Sequence, residues 1–174
     1  METLEIRLNE AACTAVRLER ETGCPAQLPI AQWAIESKWG EMSVGHANNF
    51  GIKRAARDTQ WCTIATQEVF TPAQLETWNR QPVEIDDHFA DYPSLDASCR
   101  DYAWLITRGS PYHAAWQRRQ QDKNIAELIG GVARTYPTAP QYAELAEEIA
   151  TQSNAVKAIT EASGAPSTSA ALRS

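Results

Sequence analysis

The stretch Leu28–Lys53, L-P-I-A-Q-W-A-I-E-S-K-W-G-E-M-S-V-G-H-A-N-N-F-G-I-K, decides the fold. Pro29 suits the first turn of a helix because its φ is fixed and it has no N–H, and Gly40 suits the position just past a helix end. The residues between them are apolar on most sides, which is typical of a buried helix. The pattern predicts a central buried helix from Pro29 to Lys38.

Glu36 is the charged residue on this helix that needs an explanation. It shares one narrow polar line with Gln32 and is flanked in sequence by Trp33 and Trp39. Apolar surroundings and the negative end of a helix dipole both disfavour an ionised carboxylate, so we expect the pKa of Glu36 to be raised. A carboxyl group that keeps its proton near neutral pH is suited to general acid catalysis.

Length and composition indicate one domain. A chain of 174 residues with 43% hydrophobic residues can bury one core, so we expect a single domain over residues 1–160. Residues 161–174 have the small polar composition of a flexible tail. Six tryptophans are many for this length. Tryptophan packs in cores and also makes flat stacking platforms, so a groove that binds rings is one use for them.

Charge and cysteine spacing exclude several classes of protein. The net charge is −6 and basic residues form only short clusters, which disfavours nucleic-acid binding. No C-x-x-C pair is present and the histidines are scattered, so we expect no metal site and mostly buried thiols, with disulfides left open. The four cysteines are Cys13, Cys24, Cys62 and Cys99. We expect neither a signal peptide nor membrane insertion, because the N-terminus lacks a basic start before an apolar run and no long apolar run occurs.

The rest of the chain predicts helices around a small β lobe. Periodicity, capping residues and β-branched alternation identify the elements. Helices are predicted over Thr3–Glu21, Leu95–Ile106 with Ser94 as cap, Asp122 or Lys123 to Ala133, and Thr138–Ile159, and strands over Gln60–Phe70 and Val83–Ala90. The fold class is therefore α+β and mostly helical.

A second glutamate, Glu68, lies on the first predicted strand. Hydrolysis of a glycosidic bond uses two carboxyl groups across a cleft: one protonates the leaving oxygen and the other is ionised. Glu36 fits the first role and Glu68 the second. Three other carboxylates of the predicted lobe, Glu84, Asp86 and Asp87, are alternatives for the second role.

Two motifs carry a family resemblance. A-I-E-S-K-W-G (34–40) followed by N-N-F-G-I-K (48–53) resembles the A-x-E-S-x-W-G and N-x-F-G-x-K signature of the bacterial glucosaminidases of glycoside hydrolase family 73, which include the flagellar rod-cap muralytic domain and many autolysins. A-T-Q-E-V-F, F-A-D-Y and Y-P-T-A-P-Q-Y-A follow in the family's order, within residues 28–149. The last motif lacks an aspartate that the family carries, after Tyr136.

The resemblance implies a lysozyme-like fold with a small β lobe that cleaves the glycan strand of peptidoglycan as an endo-β-N-acetylglucosaminidase. It implies Glu36 as the catalytic acid and Glu68 as the second catalytic glutamate. Tyr92, Tyr136, Asn49 and Phe50 are implied to bind substrate or shape the cleft, and no metal or organic cofactor is implied. Muramidase activity on the same fold, as a lysozyme or lytic transglycosylase, and a catalytically silent cell-wall-binding module are the alternatives.

The expected biological role is bacteriolytic. Without a signal peptide, the chain would be made in the cytoplasm and would reach periplasmic or cell-wall peptidoglycan by holin-dependent release, as a phage endolysin, or through a secretion system, as an antibacterial effector. An effector would have an immunity protein as partner. We expect a monomer.

Overall fold

The computed structural model describes residues 3–54, 61–68, 83–133 and 142–164. Within these ranges the chain forms seven α-helices, one 3₁₀ turn and a two-stranded antiparallel sheet. The elements are α1 (Leu4–Thr22), α2 (Gln27–Glu36), β1 (Trp61–Glu68), β2 (Val83–Ala90), α3 (Leu95–Arg108), the 3₁₀ turn (Ser110–Tyr112), α4 (His113–Asp122), α5 (Ile125–Ala133), α6 (Tyr142–Thr151) and α7 (Ser153–Gly164). The predicted mostly helical α+β class is confirmed.

Helix α2 lies at the centre of the core. All seven residues from Leu28 to Ala34 are buried, and α2 contacts α1, α3, α6 and α7. Burying one large apolar side chain contributes roughly 1.5–3 kcal/mol, so these contacts explain why a helix with no side-chain cap at its start is stable. The predicted central helix is confirmed, but it begins at Gln27 and ends at Glu36.

Capping residues mark the starts of α1 and α3 and the end of α1. The hydroxyl of Thr3 accepts a hydrogen bond from the Ile6 N–H (3.4 Å), and the hydroxyl of Ser94, the predicted cap, accepts one from the Ala97 N–H (3.2 Å). Gly23 follows α1 with φ +78°, a backbone conformation that glycine adopts without strain. The helix predicted to end at Ile106 continues to Arg108.

The C-terminal helices differ from the prediction. Helix α4 was not predicted because none of its residues is buried, so it has no apolar periodicity. The single long helix predicted from Thr138 is two helices, α6 and α7, with Gln152 between them. Helix α7 continues to Gly164, four residues into the predicted tail, and residues 165–174 lie outside the described part of the chain.

The two strands form the β lobe. They pair from Trp61 opposite Ala90 to Glu68 opposite Val83. The second strand has its predicted bounds, whereas Gln60, Val69 and Phe70 of the first lie outside the described residues. The loop after α2 meets the other edge of β2, where the Ala90 N–H donates to the Ile52 carbonyl (3.0 Å) and the Arg54 N–H to that of His88 (2.8 Å). The lobe is thereby joined to the helical body beside the end of α2.

Two of the three cysteines whose side chains the structure describes are buried, in line with the expectation of mostly buried thiols. Cys24 and Cys99 are buried free thiols, and Cys13 is free but exposed. Burial, and then the charge of Glu19, raises the pKa of Cys24 to about 12. Burial also raises the pKa of Cys99. Within the described ranges, no helix is both long and apolar enough to cross a bilayer.

Candidate active site

Glu36 is the last residue of α2 and its side chain is half-buried. The next residue, Ser37, is fully buried; its hydroxyl donates to the Trp33 carbonyl (2.5 Å) and accepts from the Gly40 N–H (2.8 Å). The Trp39 N–H donates to the Ala34 carbonyl (2.9 Å). These bonds satisfy backbone groups that the end of a helix leaves open, and they hold Glu36 at a defined position.

The turn after Glu36 is left-handed over three consecutive residues. Lys38, Trp39 and Gly40 have φ of +49°, +60° and +76°. This conformation costs a residue with a side chain roughly 1–2 kcal/mol, which explains why α2 ends before Lys38. A Cβ at Gly40 would lie 2.7 Å from the Trp33 ring, so only glycine fits there. Arg7 of α1 braces the turn through a hydrogen bond from its Nε to the Trp39 carbonyl (2.8 Å).

The two tryptophans of the motif pack in the way the sequence predicts. Trp33 is 2% exposed, and its ring meets that of Trp39 edge to face, with centroids 6.1 Å apart. Edge-to-face packing of this kind contributes about 0.5–1.5 kcal/mol beyond the area it buries. Trp33 and Trp39 are three residues before and three residues after Glu36, so the ring pair is an apolar contact at this end of α2. The expected effect of these rings on the pKa of Glu36 stays a prediction.

The loop 48–54 forms the wall beside Glu36. Gly51 has φ +61°, and a Cβ built on it would lie 3.6 Å from Oε2 of Glu36. The backbone of this loop therefore passes directly against the carboxyl group. The predicted proximity of N-N-F-G-I-K to Glu36 is confirmed.

Asn48 shapes this loop, and the sequence reasoning did not single it out. It is 1% exposed; its Nδ2 donates to the carbonyls of Ile52 (2.9 Å) and Ala90 (2.8 Å). Its Oδ1 accepts from the N–H groups of Ile52 (3.0 Å) and Phe50 (3.4 Å). One side chain thus uses two donor and two acceptor positions to tie the loop to the end of β2. The adjacent asparagines at positions 48 and 49 were the available signal in the sequence, because asparagine side chains often bond nearby backbone groups.

The two residues after Asn48 have different environments. Phe50 is fully buried and stacks on Tyr102, with ring centroids 4.6 Å apart. The ring has no exposed surface, so Phe50 supports the loop from below. Its role in substrate binding stays a prediction. Asn49 is half-buried, and its Nδ2 donates to the Met42 carbonyl (3.4 Å), so it remains a candidate for substrate binding.

Tyr92 lies just after β2 and is 9% exposed. Its hydroxyl donates to Oδ2 of Asp101 (2.6 Å), a partner that the sequence reasoning did not identify. A hydroxyl group has one proton, so a substrate group that meets this oxygen would have to be a donor. The role of Tyr92 in substrate binding stays a prediction. Tyr136 lies outside the described residues.

Tyr112, at the end of the 3₁₀ turn, is a further residue that the sequence did not reveal. It is 7% exposed. Burial, and then the negative charge of Glu36, raises the pKa of Tyr112 to about 12. The phenol is therefore protonated at neutral pH and lies within electrostatic reach of Glu36. Its motif, S-P-Y-H, has no pattern that points to an active site.

The candidates for the second carboxylate are distributed along the β lobe. Glu68 is the last residue of β1 and pairs with Val83, seven residues from the Trp61–Ala90 pair. At about 3.4 Å per residue, its backbone is roughly 24 Å along the strand from the end that Asn48 anchors. Asp86 and Asp87 pair with Ala65 and Ile64 and are roughly 10–14 Å nearer to that end. Which of these carboxylates faces Glu36 stays a prediction.

Within the described ranges, no group of three or more His, Cys, Asp or Glu side chains is arranged to hold a metal ion.

The family model described as "Glucosaminidase: Mannosyl-glycoprotein endo-beta-N-acetylglucosaminidase" matches residues 12–155 of the chain. This match includes Glu36, the loop 48–54, the whole β lobe and Tyr112.

Curated relatives include proteins named peptidoglycan hydrolase FlgJ. The one from Vibrio cholerae is 33% identical over 135 residues, which is 75% of this chain and 38% of the relative. The one from Escherichia coli K12 is 26% identical over 142 residues, 78% of this chain and 42% of the relative. The chain thus spans about two fifths of the length of these relatives.

Solved structures share the fold. The catalytic domain of the autolysin Auto from Listeria monocytogenes aligns with a TM-score of 0.72 and 24% identity, over 91% of this chain and 89% of that domain. The C-terminally truncated glycoside hydrolase domain of Salmonella typhimurium FlgJ aligns with a TM-score of 0.63 and 23% identity, over 86% of this chain and 97% of that domain.

Proposed function

The chain belongs to the glucosaminidase family, and we propose that it hydrolyses the glycan strand of peptidoglycan as an endo-β-N-acetylglucosaminidase, with Glu36 as general acid. The family resemblance and the fold expected from the sequence are confirmed by the family model and the solved relatives. The placement of Glu36 is the observation that carries the proposal: a half-buried carboxyl at the end of a core helix, against the backbone of Gly51.

The surroundings of Glu36 suit proton donation. Glu36 ends the helix that carries Trp33, whose ring packs against that of Trp39, and the neutral phenol of Tyr112 lies within electrostatic reach of its carboxyl group. Electrostatic interactions are stronger where water is excluded, so a proton held by Glu36 can be transferred to a substrate oxygen rather than to solvent. The rigid turn and the loop tied by Asn48 keep the carboxyl group in place.

The proposed reaction has three steps. Glu36 transfers its proton to the glycosidic oxygen while the bond from that oxygen to the anomeric carbon breaks. The positive charge that develops on the sugar ring is stabilised by an ionised carboxylate, for which we propose Glu68, or by the acetamido oxygen of the substrate itself. Water then adds to the anomeric carbon, and its proton restores Glu36 to the acid form.

Glu36→Gln tests the acid. The substitution preserves shape and hydrogen bonding but removes the transferable proton, so we expect peptidoglycan hydrolysis to fall by about 100-fold or more. Glu10→Gln is the matched control, because Glu10 is an exposed glutamate on α1, and it should retain the wild-type rate. A wild-type rate in Glu36→Gln would exclude Glu36 as the acid. If the wild-type protein binds but does not cleave peptidoglycan, it is a silent wall-binding module.

The bond that is cleaved is read from the products. Mass spectrometry of reduced fragments should show N-acetylglucosamine at the new reducing end. N-acetylmuramic acid there would instead identify a lysozyme-type muramidase, and an anhydro-muramic end a lytic transglycosylase.

We propose that the activity is bacteriolytic and belongs to a phage endolysin or an injected antibacterial effector. The family match includes Glu36 and the loop beside it, which supports the cleavage of the cell wall that a bacteriolytic role requires. Expression in Escherichia coli with an added periplasmic export signal should cause lysis, whereas expression without it should not. If the exported protein leaves the cells intact while the purified protein is active, a bacteriolytic role is wrong. Protection by co-expression of a neighbouring gene product would identify an immunity protein and favour the effector.

A further inference from the structure

A groove separate from Glu36 lies between the end of α1, the outer face of α3 and α4. It encloses about 380 Å³, within the usual size range of small-molecule sites. Its lining includes the aliphatic side chain of Leu18, the indole rings of Trp104 and Trp116, and the charged side chains of Glu21, Arg100 and Arg108. We call these residues the aromatic groove.

The groove exposes flat apolar surface. Trp104 is 41% exposed, although an indole ring is among the most favourable groups to bury. Trp116 is half-buried and packs over Gly23, where a Cβ would lie 3.8 Å from its Cη2 atom. The Trp116 ring is therefore held against α1, and Trp104 keeps exposed surface. Such a pair can take a ring-shaped ligand with an apolar face, as a sugar has.

The charged lining residues favour an anion, because Arg100 and Arg108 outnumber Glu21. Arg100 is already paired with Glu21 (Nη1 to Oε2, 2.6 Å) and with Asp96 (Nε to Oδ2, 3.0 Å). Arg108 is exposed, and among the residues that the structure describes none forms an ion pair with it. A guanidinium group presents a planar fork that fits a carboxylate. The groove therefore combines an indole ring with exposed surface, that of Trp104, with a guanidinium group, that of Arg108, that forms no ion pair with the described residues.

The groove lies well away from the candidate active site. Arg7, near the start of α1, contacts the turn that follows Glu36, whereas Leu18 lies eleven residues further along the same helix. At 1.5 Å per residue, these two positions are roughly 16 Å apart along the helix axis. A ligand in the aromatic groove therefore does not occupy the space beside Glu36.

We propose that the aromatic groove is a second binding site for peptidoglycan, in which a sugar ring packs on Trp104 and a carboxylate of the lactyl group or peptide stem binds Arg108. The proposal rests on the proposed function, since peptidoglycan is the polymer that the cleft would cleave. A polymer offers many equivalent segments, so a second site retains the enzyme on the wall between cleavage events and raises its effective concentration at the next bond.

Binding to purified, insoluble peptidoglycan tests the groove. We compare Trp104→Ala, Trp104→Phe and Arg108→Ala with Arg118→Ala in a sedimentation assay on ice. Arg118 is an exposed arginine on α4 that does not line the groove, so its removal makes the same change in net charge. Trp104→Ala should weaken binding about fivefold, Trp104→Phe less than Trp104→Ala, and Arg108→Ala about two- to fivefold more than Arg118→Ala.

Salt separates the two contributions. The decrease in peptidoglycan binding caused by Arg108→Ala should disappear at about 0.5 M NaCl, because salt screens an exposed ion pair. The decrease in binding caused by Trp104→Ala should persist at this salt concentration. Unchanged binding in Trp104→Ala and Arg108→Ala overturns the proposal and assigns the groove to another partner, such as an acidic protein.

Hydrolysis rates distinguish failure of this proposal from failure of the proposed function. Hydrolysis of a short soluble glycan fragment needs only the cleft. For Trp104→Ala, the fold decrease in hydrolysis rate relative to the wild-type protein should therefore be at least three times larger on whole peptidoglycan than on the fragment. Equal losses on both substrates would show that Trp104 acts through the cleft or through stability, and would overturn the second site. If the wild-type protein cleaves neither substrate, the proposed function itself fails, whatever the binding assay shows.

Discussion

The two regions that border the candidate active site are constructed in different ways. The first region, which we call the acid side, consists of the end of α2, the left-handed turn and the loop 48–54. Direct hydrogen bonds and ring contacts hold these segments to one another. On the other side, the β lobe is a two-stranded antiparallel sheet, and among the described residues its backbone hydrogen bonds to the body lie at one end of β2. A carboxyl group at the end of α2 is therefore placed by the core, whereas one at Glu68 is placed by the register and direction of two strands. An isolated two-stranded hairpin is marginally stable, so the geometry of the lobe depends on those hydrogen bonds.

Gly40→Ala should have the largest effect on stability, because it adds a side chain where the turn after α2 packs most closely against Trp33. The added methyl group meets the Trp33 ring at 2.7 Å in a backbone with φ +76°. We expect the free energy of unfolding to fall by about 3 kcal/mol from combined overpacking and backbone strain. Urea denaturation measures it. Gly164→Ala is the control, because a Cβ there meets no atom within 4 Å and the change should be near neutral.

Asn48→Ala weakens the connection between the two regions, which is the set of hydrogen bonds from Asn48 to the loop 48–54 and to Ala90 of β2. It removes four hydrogen bonds inside the protein, and the buried N–H groups of Phe50 and Ile52 lose their acceptor on Asn48, so we expect a loss of about 2 kcal/mol in unfolding free energy. Asn49→Ala, one residue later and half-buried, should cost less than about 0.5 kcal/mol. Equal losses in the two variants would show that the connection does not depend on Asn48.

Glu68→Gln sharpens the comparison on the lobe side. If Glu68 supplies the second carboxylate, the hydrolysis rate should fall about tenfold or more while the melting temperature is unchanged. Asp86→Asn and Asp87→Asn are assayed in parallel, because both lie nearer to the anchored end of the hairpin. A normal rate in Glu68→Gln together with a slow Asp variant would reassign the role, and normal rates in all three would favour assistance by the acetamido group of the substrate.

The smallest expected effect is the change that Glu36→Gln causes in the pKa of Tyr112, which measures the electrostatic interaction between the two side chains. The pKa of Tyr112 is raised to about 12, first by burial and second by Glu36. Glu36→Gln should therefore lower the pKa of Tyr112, while burial keeps it above the value of 10.0 for a free tyrosine. Ultraviolet titration of the phenol near 295 nm, with Tyr112→Phe to assign the signal, measures the shift. An unchanged pKa in Glu36→Gln would show that the two groups do not interact.

The same raised pKa predicts how stability depends on pH. Between pH 10 and about 12, the unfolded chain loses the Tyr112 proton while the folded chain keeps it. The unfolded state then binds fewer protons, so the free energy of unfolding falls as pH rises through this window. Tyr112→Phe should show a smaller fall, which urea denaturation across this pH range checks.

Local sequence patterns predicted those parts of the fold that depend on neighbours in the chain. Ser94 identified a helix start because its hydroxyl bonds an N–H three residues away, and the β-branched alternation before Glu68 indicated a strand. Helix α4 was missed because it buries no residue, and the break at Gln152 was missed because α6 and α7 carry a continuous apolar pattern. A pattern records which residues favour a helix, and it does not record where packing requires the chain to change direction.

The sequence by itself determined the buried helix, the unusual glutamate at its end and the family to which its motifs belong, because each depends on residues close together in the chain. Only the tertiary structure decided that Asn48 joins the loop to β2, that Phe50 is beneath the site, and that Tyr112, 76 residues after Glu36, shares its electrostatic environment. These relations join residues that are distant in sequence, and contacts of that kind exist only after the core has brought the helices and the β lobe together.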